Sequence, residues 1–208
     1  MAYKNYNVPH GTIEQYIDLL FTWNEKINLI SFKDKEELIN RHILDSLQLM
    51  KFISADEVVF DIGSGAGFPG LMLSYAGIKE VHLVEKVGKK ASFLIVAASL
   101  SKNKIKVYNI AVEKINTEIC DVITARGFAS LDKIFESTQN IVQKNTRYLL
   151  QKGKNIDEEI KNALEKWSFK YILHKSDTSV DGYILEVEQL KSNEQKDHCS
   201  GEPKRRSR

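Results

Sequence analysis

The chain is poor in cysteine and proline and has no long apolar run. Its 208 residues include two cysteines, Cys120 in an apolar stretch and Cys199 in a polar tail. A structural disulfide is therefore not expected, and a reducing cytoplasm is the simplest home. No stretch approaches the roughly 18 apolar residues of a membrane span. The opening MAYKNYNVPHG lacks the apolar centre of a signal peptide. The five histidines are scattered and neither CxxC nor HExxH occurs, so no metal site is expected. The net charge of +2 is too small to announce a nucleic-acid partner or to exclude one.

What is present is an alternation of strands and helices. Thr12 and Gln15 have the spacing of a capping box, followed by an apolar stripe of Ile13, Ile17, Leu20 and Phe21. After the interruption NEKINLISFKDKEE, a second helix buries Leu38, Ile39, Ile43, Leu47 and Met50. Residues 1–53 thus read as a helical N-terminal extension. From residue 57 the runs EVVFDI, EVHLVE, IKVYNI, CDVITA and RYLLQK read as strands separated by helices. FKYILHK and YILEVEQL form an antiparallel pair across DTSVDG. The expectation is an α/β fold over 54–190, a mostly parallel seven-stranded sheet with an antiparallel C-terminal edge hairpin. Residues 191–208 have no apolar periodicity and read as a disordered tail.

DIGSGAGFPG at 61–70 follows the first strand and precedes a helix, the setting in which a glycine loop binds a nucleotide-like ligand. Glycines let the backbone turn tightly and approach a ligand closely. Gly65 to Gly70 also fit the GxGxxG dinucleotide pattern. Asp61, however, would repel a pyrophosphate and would suit an ammonium group. S-adenosylmethionine carries an ammonium and no phosphate, so it fits Asp61, Gly63 and Gly65 better than NAD does. A tight turn without a ligand stays open. Glu85 ends the second strand about 20 residues after the loop, where an acid pairs with ribose hydroxyls. Val112 and Glu113 follow the third strand, where an adenine could lie; Glu113 reads equally as an acid at a helix start. Arg126 ends the fourth strand, placed for a phosphate, a guanine edge or the cofactor carboxylate. Cys120 reads as core packing.

RHILDS at 41–46, the glycine loop, LVEK with GKKASFL at 83–94 and ITARGFASL at 123–131 occur together and in this order. In this the chain resembles the bacterial 16S ribosomal RNA guanine-N7 methyltransferases, also called the glucose-inhibited division protein B family. The resemblance runs from about Tyr16 to Leu190. It implies a class I, Rossmann-like methyltransferase using S-adenosyl-L-methionine. It implies methyl transfer to one guanine in the decoding-region loop of 16S ribosomal RNA, with the RNA or the small ribosomal subunit as partner. Carried over, the cofactor contacts are Gly63, Phe68, Val112, Glu113 and Arg126, with Glu85 on the ribose. Arg41, His42 and Arg126 face the substrate, and Lys33, Lys86, Lys89 and Lys90 are candidate RNA contacts. Within RHILDS, His42 lies near Asp45 and Ser46, and Arg41 can pair with Asp45. Where many relatives have Arg-Ala-Val or Arg-Ala-Phe, this chain has Arg126-Gly127-Phe128. No catalytic nucleophile or base is expected, and a monomer is expected. Other readings are a methyltransferase for another substrate, an NAD(P)-dependent oxidoreductase, and a non-catalytic ribosome-binding protein.

Overall fold

The computed structural model describes residues 2–116 and 119–193. Seven strands form one sheet in the order β3-β2-β1-β4-β5-β7-β6. They are β1 (Val58–Ile62), β2 (Glu80–Val84), β3 (Lys104–Tyr108), β4 (Val122–Arg126), β5 (Arg147–Lys152), β6 (Trp167–Lys175) and β7 (Tyr183–Ser192). β1 to β5 are parallel, and β7 is antiparallel to both β5 and β6. This is the Rossmann-like arrangement expected from the sequence. Strand order reverses between β1 and β4, and in open α/β sheets ligands bind outside the carboxyl ends at such a point.

Alternation along the strands splits the core into two layers. Val59, Val81, Leu83, Val122 and Leu149 face one layer, while Phe60, Ile62, Val84, Ile123 and Leu150 face the other. Both faces are covered, which is why the strands read as nearly continuous apolar runs. The first layer packs on α4 (Gly70–Tyr75), on α5 (Gly88–Ala98) and on the N-terminal helices. Tyr16, Ile17, Leu20, Ile43 and Leu47 belong to the same cluster as Val59 and Leu71, so the extension shares the sheet's core. The second layer packs on α6 (Leu131–Ser137) and α7 (Ile156–Lys166).

Three local expectations change. α1 (Thr12–Asn24) is capped by Gly11 at φ 82°, with no side-chain cap. Thr12 is buried, so it packs and does not cap. The second helix is composite: α2 (Lys35–Leu38), a π-helical turn at Ile39–Leu44, α3 (Asp45–Leu47) and a 3-10 turn at Gln48–Lys51. The π-helical turn contains most of RHILDS. α6 stops at Ser137. Thr138 Oγ1 donates to the Ile134 carbonyl at 2.7 Å and meets Tyr148 Oη at 2.8 Å, the local competition by which threonine weakens a helix. β7 runs through Ser192, two residues into the expected tail; 194–208, with Cys199, lie outside the described residues.

Candidate functional site

The loop after β1 is fixed by its own backbone and by two acids beneath it. Gly63 and Ser64 N–H both donate to the Val84 carbonyl, at 2.9 and 3.1 Å, hanging the loop on the end of β2. Sheet register sets Asp61 beside Thr124 and Leu83. Its carboxylate accepts from Thr124 Oγ1 at 3.0 Å and from Gly70 N–H at 3.2 Å. Asp61 is completely buried and faces the loop's backbone, not a cleft, so it holds α4 to the sheet. These bonds to the protein's own donors are partners that the ammonium contact expected of it did not foresee. Burial pushes its carboxyl up to about 6, opposed by these hydrogen bonds and by the Arg126 charge. A Cβ on Gly70 would lie 2.8 Å from Asp61, which explains the closing glycine.

Glu85 grips the loop from the next strand. One carboxylate oxygen accepts from Gly65 N–H at 3.0 Å and the other from Val87 N–H at 2.8 Å. It is nearly buried, yet each oxygen keeps a lone pair for a ribose hydroxyl. The glycines divide by what covers them. Gly63 (φ 72°) is covered: a Cβ there would lie 2.4 Å from Phe128 Cδ2. Gly65 (φ 55°) is open: chain neighbours aside, a Cβ there would meet among the described residues only the Gly63 carbonyl oxygen, at 3.8 Å. A ligand can therefore approach the backbone at Gly65, and the residues fit a cofactor such as S-adenosylmethionine there. Val112 is buried and its carbonyl is held by Asn140 Nδ2 at 3.0 Å, whereas Glu113 is exposed. Both stand after β3, which neighbours β2, the strand that Glu85 directly follows.

Arg126, at the end of β4, ties the loop to RHILDS. Its Nη1 donates to the Arg41 carbonyl at 3.2 Å and to Asp45 Oδ2 at 3.4 Å. Its Nη2 meets His42 Nδ1 at 2.9 Å, and its guanidinium lies 4.9 Å from the centroid of the Phe68 ring. Arginine only donates, so His42 Nδ1 accepts and the ring is neutral. Burial, then the charges of Arg126 and Arg41, lower its pKa to about 4, in agreement with that tautomer. The Arg41 side chain pairs with Glu37 at 2.6 Å, not with Asp45, and is 71% exposed. Asp45 instead binds Arg126, Gln48, Thr178 and Gln151. So Phe68, His42 and Arg126 come together, Gly63, Gly65 and Glu85 form a second group, and Arg41 contributes its carbonyl to the first.

A cleft of about 740 Å³ opens beside Arg126, between β4, β5 and the β6–β7 turn. Arg41, His42, Gln151, Lys152 and Thr178 help to line it. The Gln151 amide nitrogen is pinned by the Asp45 carbonyl at 2.8 Å and its carboxylate at 2.5 Å, which leaves Gln151 Oε1 without a partner among the described residues. Lys86 and Lys89, just beyond β2, are exposed, as is Lys33, while Lys90 is half-buried.

Several of these roles are absent from the sequence reading. Tyr16 is fully buried, and its hydroxyl donates to the Ala66 carbonyl at 2.6 Å, clamping the loop from α1. A signal for it existed: Tyr16 completes the stripe of Ile13, Ile17 and Leu20, and a buried tyrosine must place its hydroxyl. Asp45 stands within RHILDS, but nothing local marks its partners Gln151 and Thr178, whose bonds to it cross more than 100 residues of sequence.

Comparison with known proteins now bears on this geometry. The family model for GidB, rRNA small subunit methyltransferase G, matches residues 10–186. Ribosomal RNA small subunit methyltransferase G of Rickettsia bellii (strain OSU 85-389) is 46% identical over 189 residues, 88% of this chain and 97% of that protein. The protein of the same name from Orientia tsutsugamushi (strain Boryong) is 42% identical, over 88% of this chain and 93% of its own. Among solved structures, M. jannaschii TYW2 in complex with AdoMet matches with a TM-score of 0.55 at 17% identity, over 81% of this chain and 78% of that one, a likeness of fold. The chain belongs to the rRNA small subunit methyltransferase G family.

Proposed function

We propose that this chain transfers a methyl group from S-adenosyl-L-methionine to N7 of a guanine in the decoding-region loop of 16S ribosomal RNA. The observation that carries the reading is the meeting of two sites at Arg126. On one side lies the glycine loop with the open α carbon of Gly65; on the other lies the 740 Å³ cleft. Gly63, Gly65, Phe68, Glu85, Val112, Glu113 and Arg126 hold the cofactor, with Asp61 shaping the loop from beneath. Arg41, His42 and Arg126 face the RNA. When bound, S-adenosylmethionine supplies an electrophilic methyl group on a sulfonium.

The chemistry asks little of the side chains. Guanine N7 has an exposed lone pair and no proton, so no general base is needed. His42 suits this scheme: its Nδ1 is occupied by Arg126 and its ring is neutral, so it orients the arginine and takes no proton. Cys120 is buried and its thiol is pushed up to about 12 by burial, which leaves it unreactive. The rate then comes from holding N7 in line with the methyl group and excluding water. The exposed Arg41 and the lysines beyond β2 provide charge for RNA phosphates. No helix among the described residues is long and apolar enough to cross a membrane. The protein acts as a cytoplasmic monomer on the small subunit.

The test is methyl transfer from labelled S-adenosylmethionine to small ribosomal subunits lacking this modification, mapped by chemical cleavage at N7-methylguanine. One cleavage in the decoding-region loop is expected, with binding that weakens steeply as salt rises. Cofactor binding without incorporation would refute the substrate assignment.

A further inference from the structure

Phe128 has no part in the scheme above, yet it is the residue that covers Gly63. Its ring rests where a Gly63 side chain would be, with Cδ2 at 2.4 Å and Cγ at 3.1 Å from the position of a Cβ. Packing of this kind belongs to a core, but Phe128 is 37% exposed. Its neighbours in sequence, Gly127 and Ala129, line the cleft. Phe128 itself does not line the cleft: its ring turns onto Gly63 of the glycine loop, beside the segment that borders the cleft, and stays partly exposed there. The backbone on either side is arranged for this. Arg126 is anchored by Arg41, His42 and Asp45, and Gly127 turns the chain at φ 61° with open space around it. A partly exposed aromatic seated on a glycine whose positive φ and bare face both admit it is an offered surface.

We infer, resting on the function proposed above, that Phe128 is the face on which the target guanine stacks during methylation, and that its ring stabilises the positive charge arising on the base. The electron balance shows why an aromatic face helps. The N7 lone pair forms the new N–CH3 bond as the S–CH3 bond breaks, its electron pair staying on sulfur; no proton moves. The base enters neutral and leaves as a cation. An aromatic face attracts the cation more than the neutral base, so the contact is stronger in the transition state than in the ground state, the condition for it to raise the rate. Phe128 is then a catalytic residue by contact with the reacting base, and the bare α carbon of Gly63 leaves room for its ring.

The experiment has two readouts. In single turnovers on unmethylated small subunits at saturating S-adenosylmethionine, Phe128 is replaced by mono-, di- and trifluorophenylalanine. These keep the ring's shape and progressively remove its negative face. The rate should fall stepwise, by about 3- to 30-fold over the series, the span that cation–π contacts provide. Phe128→Tyr and Phe128→Trp should stay near wild type, and Phe128→Leu should fall with the trifluoro variant. The second readout needs no turnover. Wild type should prefer methylated over unmethylated subunits by a similar factor, and Phe128→Leu should lose that preference. A flat fluorine series with the preference intact overturns the inference. Should Phe128→Leu fail to fold, the near-isosteric fluorinated variants decide. Wild-type protein that leaves the subunits unlabelled refutes the underlying function and this inference with it; wild-type labelling with a flat series refutes this inference alone.

Discussion

Lowering the pH from 7 to 5 should act on Asp61 and His42 in opposite directions. Asp61 is an acid whose folded value, about 6, lies above its ordinary 3.8. The folded state favours its neutral form, so its contribution to stability is full below about 3.8 and is lost as pH rises through 6. Between pH 7 and 5 the folded protein takes up a proton that the unfolded chain does not, a gain of about 1 kcal/mol. His42 is a base whose folded value, about 4, lies below its ordinary 6.5. Over the same interval the unfolded imidazole protonates and the folded one does not, which lowers stability. The full difference gives about 2 kcal/mol, reduced to about 1 because the ring is partly exposed and its field screened. The two effects nearly cancel in the wild type and should separate in variants. Asp61→Asn should lose about 1 kcal/mol relative to wild type between pH 7 and 5, and His42→Asn, which keeps an acceptor for Arg126, should gain about as much. Urea unfolding at pH 7, 6 and 5, followed by tryptophan fluorescence, measures both. Differences from wild type that stay constant across pH would refute the reasoning, as would an NMR titration of His42 centred near 6.5.

Three further outcomes follow from the same contacts. Tyr16→Phe leaves the buried Ala66 carbonyl without its donor; it should cost about 1–3 kcal/mol, lower the melting temperature by about 3–10 °C and weaken S-adenosylmethionine binding in calorimetry. Unchanged stability would show that α1 does not clamp the loop. Gly63→Ala should be more damaging than Gly65→Ala, because both strain a positive φ but only the first meets the Phe128 ring. The combination with Phe128→Ala should recover about 1 kcal/mol in a double-mutant cycle, and strict additivity would count against that contact. Cys120→Ala should retain methyl transfer, measured on purified small subunits; loss of transfer in a folded variant would contradict a mechanism built on positioning.

The parts of the fold legible in the sequence are those written in local pattern. All five parallel strands and the final hairpin stand within about two residues of where β-rich runs placed them, because a sheet covered on both faces needs unbroken apolar runs. The glycine loop was legible for a similar reason: few other structures require bare residues at 63, 65 and 67. The sheet edges and helix ends were less so. Thr138 stops α6 through its own hydroxyl, which an apolar periodicity does not register. Gly11, not Thr12, caps α1 because Thr12 is drawn into the core. For Asp61, the strand-end location was legible and the protein partners were not. A carboxylate at a strand end reads as exposed to a ligand, but the register with β4 turns it onto Thr124 and the start of α4.

RHILDS shows the limit most clearly, and it also explains why the helical extension belongs to the site. Helical spacing alone pairs Arg41 with Asp45, a contact worth a few tenths of a kcal/mol on an exposed helix. The folded chain gives Asp45 a different task. Arg126 is largely buried, and burial lowers its pKa; an arginine cannot shed its proton near neutral pH, so the charge must be matched by acceptors. Three of them, the Arg41 carbonyl, His42 Nδ1 and Asp45 Oδ2, come from one turn of the extension. Removing that turn would leave a buried cation facing Asp61 and the Phe68 ring alone. It would also strip Gln151 and Thr178 of their shared partner across the cleft. The π-helical turn at Ile39–Leu44 is the kind of irregularity that marks functional positions in helices, and here it carries Arg41 and His42 at the wall of the cleft. The sheet supplies the glycine loop and the arginine, and the extension supplies the acceptors that keep that arginine charged and aimed.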